Sequence, residues 1–111
     1  MAAEPEFTVV LTTAGSSAEA GDIARSLVGH RLAACVNIVG PLTSVFHWDG
    51  ELRQEEERLL IIKTRTAHLA ALRDRILEVH SYDCPEIVEL PVTGGFEPYL
   101  DWVRQATSRE S

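Results

Sequence analysis

The stretch RLAACVNIVGPLTSVFHWDGELRQEEERLLIIKTRT, from Arg31 to Thr66, decides the fold of this chain. It contains two long β-rich arms on either side of Asp49-Gly50. Asp-Gly readily adopts the positive φ angles of a two-residue type I′ turn, so the stretch predicts a long β-hairpin. Gly40-Pro41 interrupts the first arm and predicts a bulge or bend. Because arms of this length exceed what one small sheet covers, we expect other copies of the chain to cover them.

The composition bounds the class of protein. With 111 residues and 45% hydrophobic content, the chain fits one globular domain, which we place at residues 7–107 between flexible ends at 1–6 and 108–111. A net charge of −7 without a Lys/Arg cluster argues against a nucleic-acid partner and favours cations. Two cysteines without Cys-x-x-Cys spacing, and no secretory signal or membrane-spanning run, predict a cytoplasmic protein with no membrane partner. A longer precursor is left open.

The segments before the hairpin predict one strand and one helix. Phe7 to Thr13, FTVVLTT, has the β-rich composition of a first strand. Ser16 and Glu19 have the spacing of a capping box, so they predict the start of a helix whose apolar residues recur at helical spacing. Gly29 follows as a predicted C-terminal cap.

The segments after the hairpin predict a helix, a strand and a last helix. Thr66 is predicted to cap a second helix that ends near His80. After a loop, Glu86 to Val92 predicts a strand that Pro91 places at a sheet edge or at a bulge. Pro98 suits the first turn of a short last helix.

The predicted order is β-α-β-β-α-β followed by a C-terminal helix. This is the α+β class, and the order is that of a ferredoxin-like split βαβ sandwich with a long central hairpin. We expect the helices to cover one face of the sheet. Because nothing else in the chain covers the other face, its apolar side chains are expected to face neighbouring subunits.

Five segments then carry a resemblance to a known family. RLAACVNIV, SVFHWDGEL, LLIIKT, HSYDCPEIVELPV and YLDW resemble the CutA family of divalent-cation tolerance proteins, in order and at matching spacings from about Phe7 to Thr107. The resemblance implies a homotrimer whose hairpins pack edge to edge and a link to tolerance of copper and other divalent metals. It brings no settled catalytic activity. We therefore expect a protein that is not an enzyme and that binds copper or another divalent cation without requiring a cofactor.

The resemblance also implies a metal site in the segment HSYDCPE, residues 80–86, which falls on the family motif H-P-Y-x-x-P-E. We name His80, Cys84 and Glu86 as candidate metal ligands, since imidazole and thiolate suit copper or zinc. The thiol that a bacterial family member has at the end of its first strand falls on Thr12, a far poorer copper ligand. The implied site therefore carries over only in part, and a trimer could supply ligands from a neighbour.

Further residues are expected at contacts between subunits, and Lys63, Tyr82, Glu86 and Trp102 recur in the family pattern. Cys35, Lys63, Tyr82 and Trp102 are expected to line a cleft between subunits. Trp48, beside the hairpin turn, is expected to bury its ring at a trimer contact. Packing alone explains each of these residues equally well at the level of sequence.

Three other functions found on the same architecture require residues that this chain lacks at the relevant positions. The loop at residues 13–17 lacks the Arg of acylphosphatases and the Cys-x-x-Cys of metallochaperones. RLLIIKT lacks the aromatic residues that RNA-recognition domains require. The alternative that remains is a trimeric small-molecule sensor that binds a metabolite in three equivalent intersubunit clefts.

Overall fold

The computed structural model describes residues 4–108, so the predicted flexible ends lie partly outside the described residues. Glu6, near one end, has defined contacts: its carboxylate accepts hydrogen bonds from Arg104, and its carbonyl accepts one from the Thr66 amide at 2.9 Å. The described residues form the elements β1 (Phe7–Ala14), α1 (Ser17–Gly29), β2 (Cys35–Trp48), β3 (Glu51–Arg65), a 3₁₀ turn (Thr66–His68), α2 (Leu69–Val79), β4 (Val88–Pro91) and α3 (Glu97–Ala106).

The strands form one antiparallel sheet in the order β2-β3-β1-β4. Sequence neighbours β2 and β3 pair as a hairpin, whereas β1 lies between β3 and β4. This order confirms the predicted ferredoxin-like fold. Pro91 lies in the edge strand β4, where its missing N–H leaves no gap inside the sheet, as the sequence predicts.

The hairpin forms as predicted. Asp49 and Gly50 both have positive φ angles, 55° and 78°, which is the requirement of a type I′ turn. The β2–β3 register shifts between Val39 and Leu42, which confirms the bulge. Gly40 has a φ of +146°, and a Cβ there would lie 2.7 Å from Arg58 Cδ, so both backbone and space require glycine.

The main core lies between one face of the sheet and the helices α1 and α2. Alternate residues of the two central strands point into it, because side chains along a strand alternate between the two faces. The buried residues are Val10, Ala14, Ala20, Ile23, Leu27, Leu32, Ala33, Leu60, Ile62, Leu72 and Ile76. A smaller cluster of Phe7, Ala34 and Val103 packs under α3.

The opposite side of the sheet, here called the open face, carries a second set of apolar side chains. The register places these residues on it: Val9, Leu11, Cys35, Asn37, Val39, Leu59, Ile61, Lys63, Val88 and Leu90. Within residues 4–108, α3 packs against the end of this face at Phe7, while Val39, Val88 and Leu90 remain 46%, 44% and 43% exposed. The expectation that all helices cover the same face is therefore wrong for α3, which covers one end of the open face, while the rest of that face lacks cover from the described residues.

Three local predictions about helix and strand ends are wrong. Gly29 ends α1 but is not its left-handed residue: that is Arg31, with φ 58°, because the next two amides, of Leu32 and Ala33, both bond to the Leu27 carbonyl. The remaining two concern α2 and the last strand.

Thr66 does not cap α2. Its hydroxyl is hydrogen-bonded to that of Thr8 at 2.7 Å, so the chain makes a 3₁₀ turn first and α2 begins at Leu69. The last strand is also shorter than predicted, covering Val88–Pro91 rather than residues 86–92, although the Val92 amide still donates to the Phe7 carbonyl at 3.2 Å.

Candidate functional site

His80, the first predicted metal ligand, lies at the C-terminal end of α2 with its side chain 0% exposed. Its Nε2 lies 2.7 Å from the Thr13 carbonyl oxygen, and its Nδ1 lies 3.0 Å from the Tyr82 amide nitrogen. A carbonyl only accepts and an amide N–H only donates, so the contacts assign the proton to Nε2 and the accepting lone pair to Nδ1. Both ring nitrogens are therefore already bonded.

Glu19 of α1 fixes the loop that follows His80. Ser16 Oγ accepts from the Glu19 amide, which confirms half of the capping box. The Glu19 carboxylate accepts instead from the amides of Ser81 at 2.8 Å and Gly15 at 3.4 Å. Burial opposes its charge, but the hydrogen bonds from Ser81 and Gly15 outweigh burial, so the pKa of Glu19 lies below its usual value. The charged carboxylate thereby holds the loop against α1.

Tyr82 joins this loop to the hairpin. Its hydroxyl donates to Glu57 Oε2 at 2.8 Å, and its ring lies 4.6 Å from that of His80. A Cβ on Gly15 would lie 3.2 Å from the Tyr82 hydroxyl, so the ring passes close to the backbone after β1. Partial burial and the nearby Glu57 carboxylate raise the pKa of Tyr82 to about 12. The phenol therefore remains a donor at neutral pH.

The predicted metal ligands do not form a ligand cluster within one protomer. Cys84 and Glu86 are exposed, whereas His80 is bonded through both nitrogens. Among residues 4–108, no group of three or more His, Cys, Asp and Glu side chains is arranged to hold a metal ion. His80, Cys84 and Glu86 thus do not fit a closed metal site in a single copy, and the prediction that they bind metal requires a rearranged loop or a second copy.

The predicted cleft residues fall into two groups at opposite ends of the sheet. Cys35 and Lys63 are directly paired across β2 and β3. Trp102 lies beside Tyr99, and Tyr99 lies close enough to Cys35 for the thiol to affect the pKa of the phenol. Tyr82 instead contacts Glu57, about 20 Å from Lys63 at the usual rise along a strand. A cleft that contains both groups therefore needs two copies of the chain.

Trp48, the predicted trimer contact, lies at the end of β2 next to the hairpin turn and is 53% exposed. Val45 and Leu52 on the same arms are 61% and 73% exposed. The outer half of the hairpin thus presents apolar side chains to solvent in one protomer.

The roles of Glu19, Glu57 and Tyr99 are not predictable from the sequence pattern. The spacing of Ser16 and Glu19 predicts a capping box and gives no sign that the Glu19 carboxylate bonds to a residue 62 positions away. Glu57 belongs to a run of three glutamates whose polar character gives no sign of burial, yet it is 7% exposed. A usable signal for Glu57 was its place at the change from polar to apolar residues in β3, where burial begins.

No helix among the described residues has the length and apolar character needed to cross a membrane.

The structure defines a ferredoxin-like α+β domain with a long hairpin, an open sheet face and, at one end, a loop whose His80 and Tyr82 are hydrogen-bonded to β1 and to Glu57. Comparisons with known proteins then identify the family. The family profile described as "CutA1 divalent ion tolerance protein" matches residues 8–106.

Individual relatives agree. The Divalent-cation tolerance protein CutA of Thermus thermophilus is 48% identical over 99 residues, which cover 89% of this chain and 96% of that protein. Human Protein CutA is 45% identical over 92 residues, covering 83% of this chain and 51% of the human protein. The crystal structure of CutA1 from Oryza sativa superposes with a TM-score of 0.92 at 38% identity, over 96% of this chain and 98% of that one.

The chain belongs to the CutA1 divalent ion tolerance family. It spans nearly all of the bacterial relative but about half the length of the human one. The names of the family profile and of the Thermus thermophilus relative describe tolerance of divalent cations.

Replacing Glu19 by Gln should destabilise the fold by about 1–2 kcal/mol at pH 7, because hydrogen bonds to a charged acceptor become weaker neutral ones. Since the folded pKa of Glu19 is lowered, this stabilisation is fully present above the unfolded pKa and is lost as the pH falls through the folded value. The difference between parent and variant should therefore shrink below about pH 4. Denaturant unfolding at pH 7 and pH 3, at one protein concentration, measures it.

Glu78→Gln is the matched control, because that side chain is 63% exposed and pairs with Arg75 on its own helix. It should change stability by less than about 0.5 kcal/mol at either pH. Equal losses in the two variants would show that Glu19 does not hold the loop.

Spectrophotometric titration tests Tyr82, since the chain has two tyrosines. The parent should show a tyrosinate component with a pKa of about 12, and Tyr82→Phe should remove it. Tyr99→Phe should leave it in place. Because the folded pKa is raised, the stabilisation by Tyr82 is present below the unfolded pKa and is lost as the pH rises through about 12. A parent curve without that component would contradict the Glu57 contact.

Proposed function

We propose that this chain is a homotrimeric tolerance protein for divalent cations, acting in the cytoplasm and without a catalytic reaction. Membership of the CutA1 family carries the proposal, because its relatives are named for this tolerance. The net charge of −7 also supports it, since an acidic protein attracts cations. Copper or another divalent cation is the proposed ligand, and no resident cofactor is required.

The exposed apolar surfaces support the trimer. The open face leaves Val39, Val88 and Leu90 partly in water, and the hairpin arms leave Trp48 and Leu52 there as well. β2 is also an edge strand over its whole length, so its outer backbone groups are available for pairing. Burying both surfaces against other copies would stabilise the assembly by about 25 cal/mol for each Å² of apolar area removed from water.

Light scattering on the folded protein tests the assembly. We expect a mass three times the 12.3 kDa of one chain. Leu52→Asp, which places a charge on the arm, should lower the mass, whereas Leu77→Asp on α2, at 53% exposure and away from the sheet, should not. A parent mass near one chain would contradict the trimer.

His80, Cys84 and Glu86 are the proposed metal-binding segment. Thiolate and imidazole favour copper and zinc, and the exposed thiol of Cys84 is accessible to an ion. For His80 to ligate, the Tyr82 amide must release Nδ1, so metal binding is expected to open the loop. A neighbouring copy in the trimer supplies the further ligands that one protomer does not bring together.

Calorimetric titration with Zn²⁺, which does not oxidise thiols, tests this segment. Cys84→Ser should weaken binding at least about tenfold, since a hydroxyl is a poor zinc ligand. Cys35→Ser is the control and should leave the affinity unchanged. Equal affinity in parent and Cys84→Ser would remove the segment as the metal site.

A small-molecule sensor is the second candidate function. The observation in its favour is that the open face has an ammonium group at one end and a Tyr-Glu pair at the other, separated by apolar side chains. Two copies are needed to bring these groups into one cleft. A trimer that binds a metabolite but no metal would favour this candidate.

A further inference from the structure

Lys63 is the only lysine in the chain. Every arginine among the described residues has a hydrogen-bond or ion-pair partner: Arg25, Arg31, Arg53, Arg58, Arg65, Arg73, Arg75 and Arg104. The ammonium of Lys63 has no such partner within residues 4–108. In a chain with 17 acidic residues, one half-buried cation thus stands apart from the carboxylates.

The surroundings of Lys63 are apolar. Its strand neighbours across the sheet are Cys35 on β2 and Val9 on β1, and Ile61 precedes it on the same face. Arg65, two positions further along the strand, adds a second positive charge while its own donors bond to the hydroxyl and carbonyl of Thr107. Lys63 is half-buried beside these apolar side chains, so an anion that reached it would be screened less than in bulk water.

Two aromatic side chains of α3 lie near Cys35, the strand partner of Lys63. Val103 packs α3 against Ala34, next to Cys35, and the burial of Tyr99, with Cys35 close by, raises the pKa of the phenol. Tyr99 therefore stays a hydrogen-bond donor at neutral pH. The ring of Trp102 lies 5.6 Å from that of Tyr99, is 44% exposed and carries an indole N–H. Donors and flat apolar surface thus occur together.

We propose that Lys63, with Tyr99 and Trp102, forms a binding site for a small oxyanion, a carboxylate or a phosphate carried by a planar organic molecule. The ammonium takes the charge, the phenol and indole donate hydrogen bonds, and the rings contact the planar part. The site names the ligand class of the sensor function and rests on that second candidate. It does not depend on metal binding at the segment 80–86, which lies at the other end of the sheet.

A single labelled lysine makes the test direct. Protein grown with ¹³C,¹⁵N-lysine gives one side-chain signal, from Lys63, which can be followed by NMR during titration. Benzoate and phenyl phosphate are the organic probes, inorganic phosphate is the anion without a ring, and benzamide is the neutral molecule with the shape of benzoate. We expect benzoate or phenyl phosphate to shift the signal saturably, inorganic phosphate to bind at least about tenfold more weakly, and benzamide to leave the signal unchanged.

Variants locate the binding. Lys63→Met should weaken binding of the better organic probe, measured by calorimetry, at least about tenfold, and Lys63→Arg should retain most of it because the charge is kept. Arg53→Met is the control: it removes a cation from the same strand in the exposed arm and should not change the affinity. The NMR titration uses the unchanged chain, so it gives an answer even if a Lys63 variant does not fold.

Several results would overturn the site. One is a lysine signal that no anion moves. Another is equal affinity in the parent and Lys63→Met. A third is a Lys63→Met protein that binds each anion as well as the parent does but has a lower mass by light scattering. Lys63 would then pair with a carboxylate of a neighbouring copy. Failure of anion binding in an intact trimer rejects this site alone, whereas a monomeric parent rejects the cleft as well.

Discussion

The alternation of side chains along β3 is the constraint on which the rest of the structure depends. Leu60 and Ile62 are fully buried under α1 and α2, while Leu59, Ile61 and Lys63 point to the open face. Because this central strand is apolar on both faces, α1 and α2 leave its second apolar face without cover. α3 covers part of that second face, at the Phe7 end. What remains is the surface from which the proposed assembly and the proposed anion site follow.

The loop at residues 80–86 has little regular structure, so its position depends on groups from other elements. The Glu19 carboxylate of α1 accepts a hydrogen bond from the Ser81 amide. The Thr13 carbonyl of β1 accepts one from the His80 ring, and the Glu57 carboxylate of β3 accepts one from the Tyr82 hydroxyl. Each partner belongs to a different element of the main fold. A loop held in this way has a defined conformation, and any metal that used His80 would have to compete with these bonds.

Sequence predicted what local chemistry determines. Asp49-Gly50 specifies a tight turn by its own φ preferences, and Ser16 caps α1 through an amide three residues away. Interactions distant in sequence could not be predicted in the same way. The Thr66 hydroxyl is taken by Thr8, across 58 positions, so a sound local capping signal was overridden. The count of lysines was visible from the start, but the isolation of Lys63 from every described carboxylate appears only once the strands are paired.

The two ends of the open face differ in charge, and this bears on which symmetry suits it. Lys63 and Arg65 make one end basic, while Glu57, with Glu55 on the same side of β3, makes the other acidic. A twofold interface brings identical patches of two copies together, whereas a cyclic trimer brings unlike patches into contact. A threefold arrangement therefore keeps the basic ends of two copies from lying directly opposite each other. An oxyanion at Lys63 would then sit at the rim of the same contact, so ligand binding and assembly would be linked through one strand.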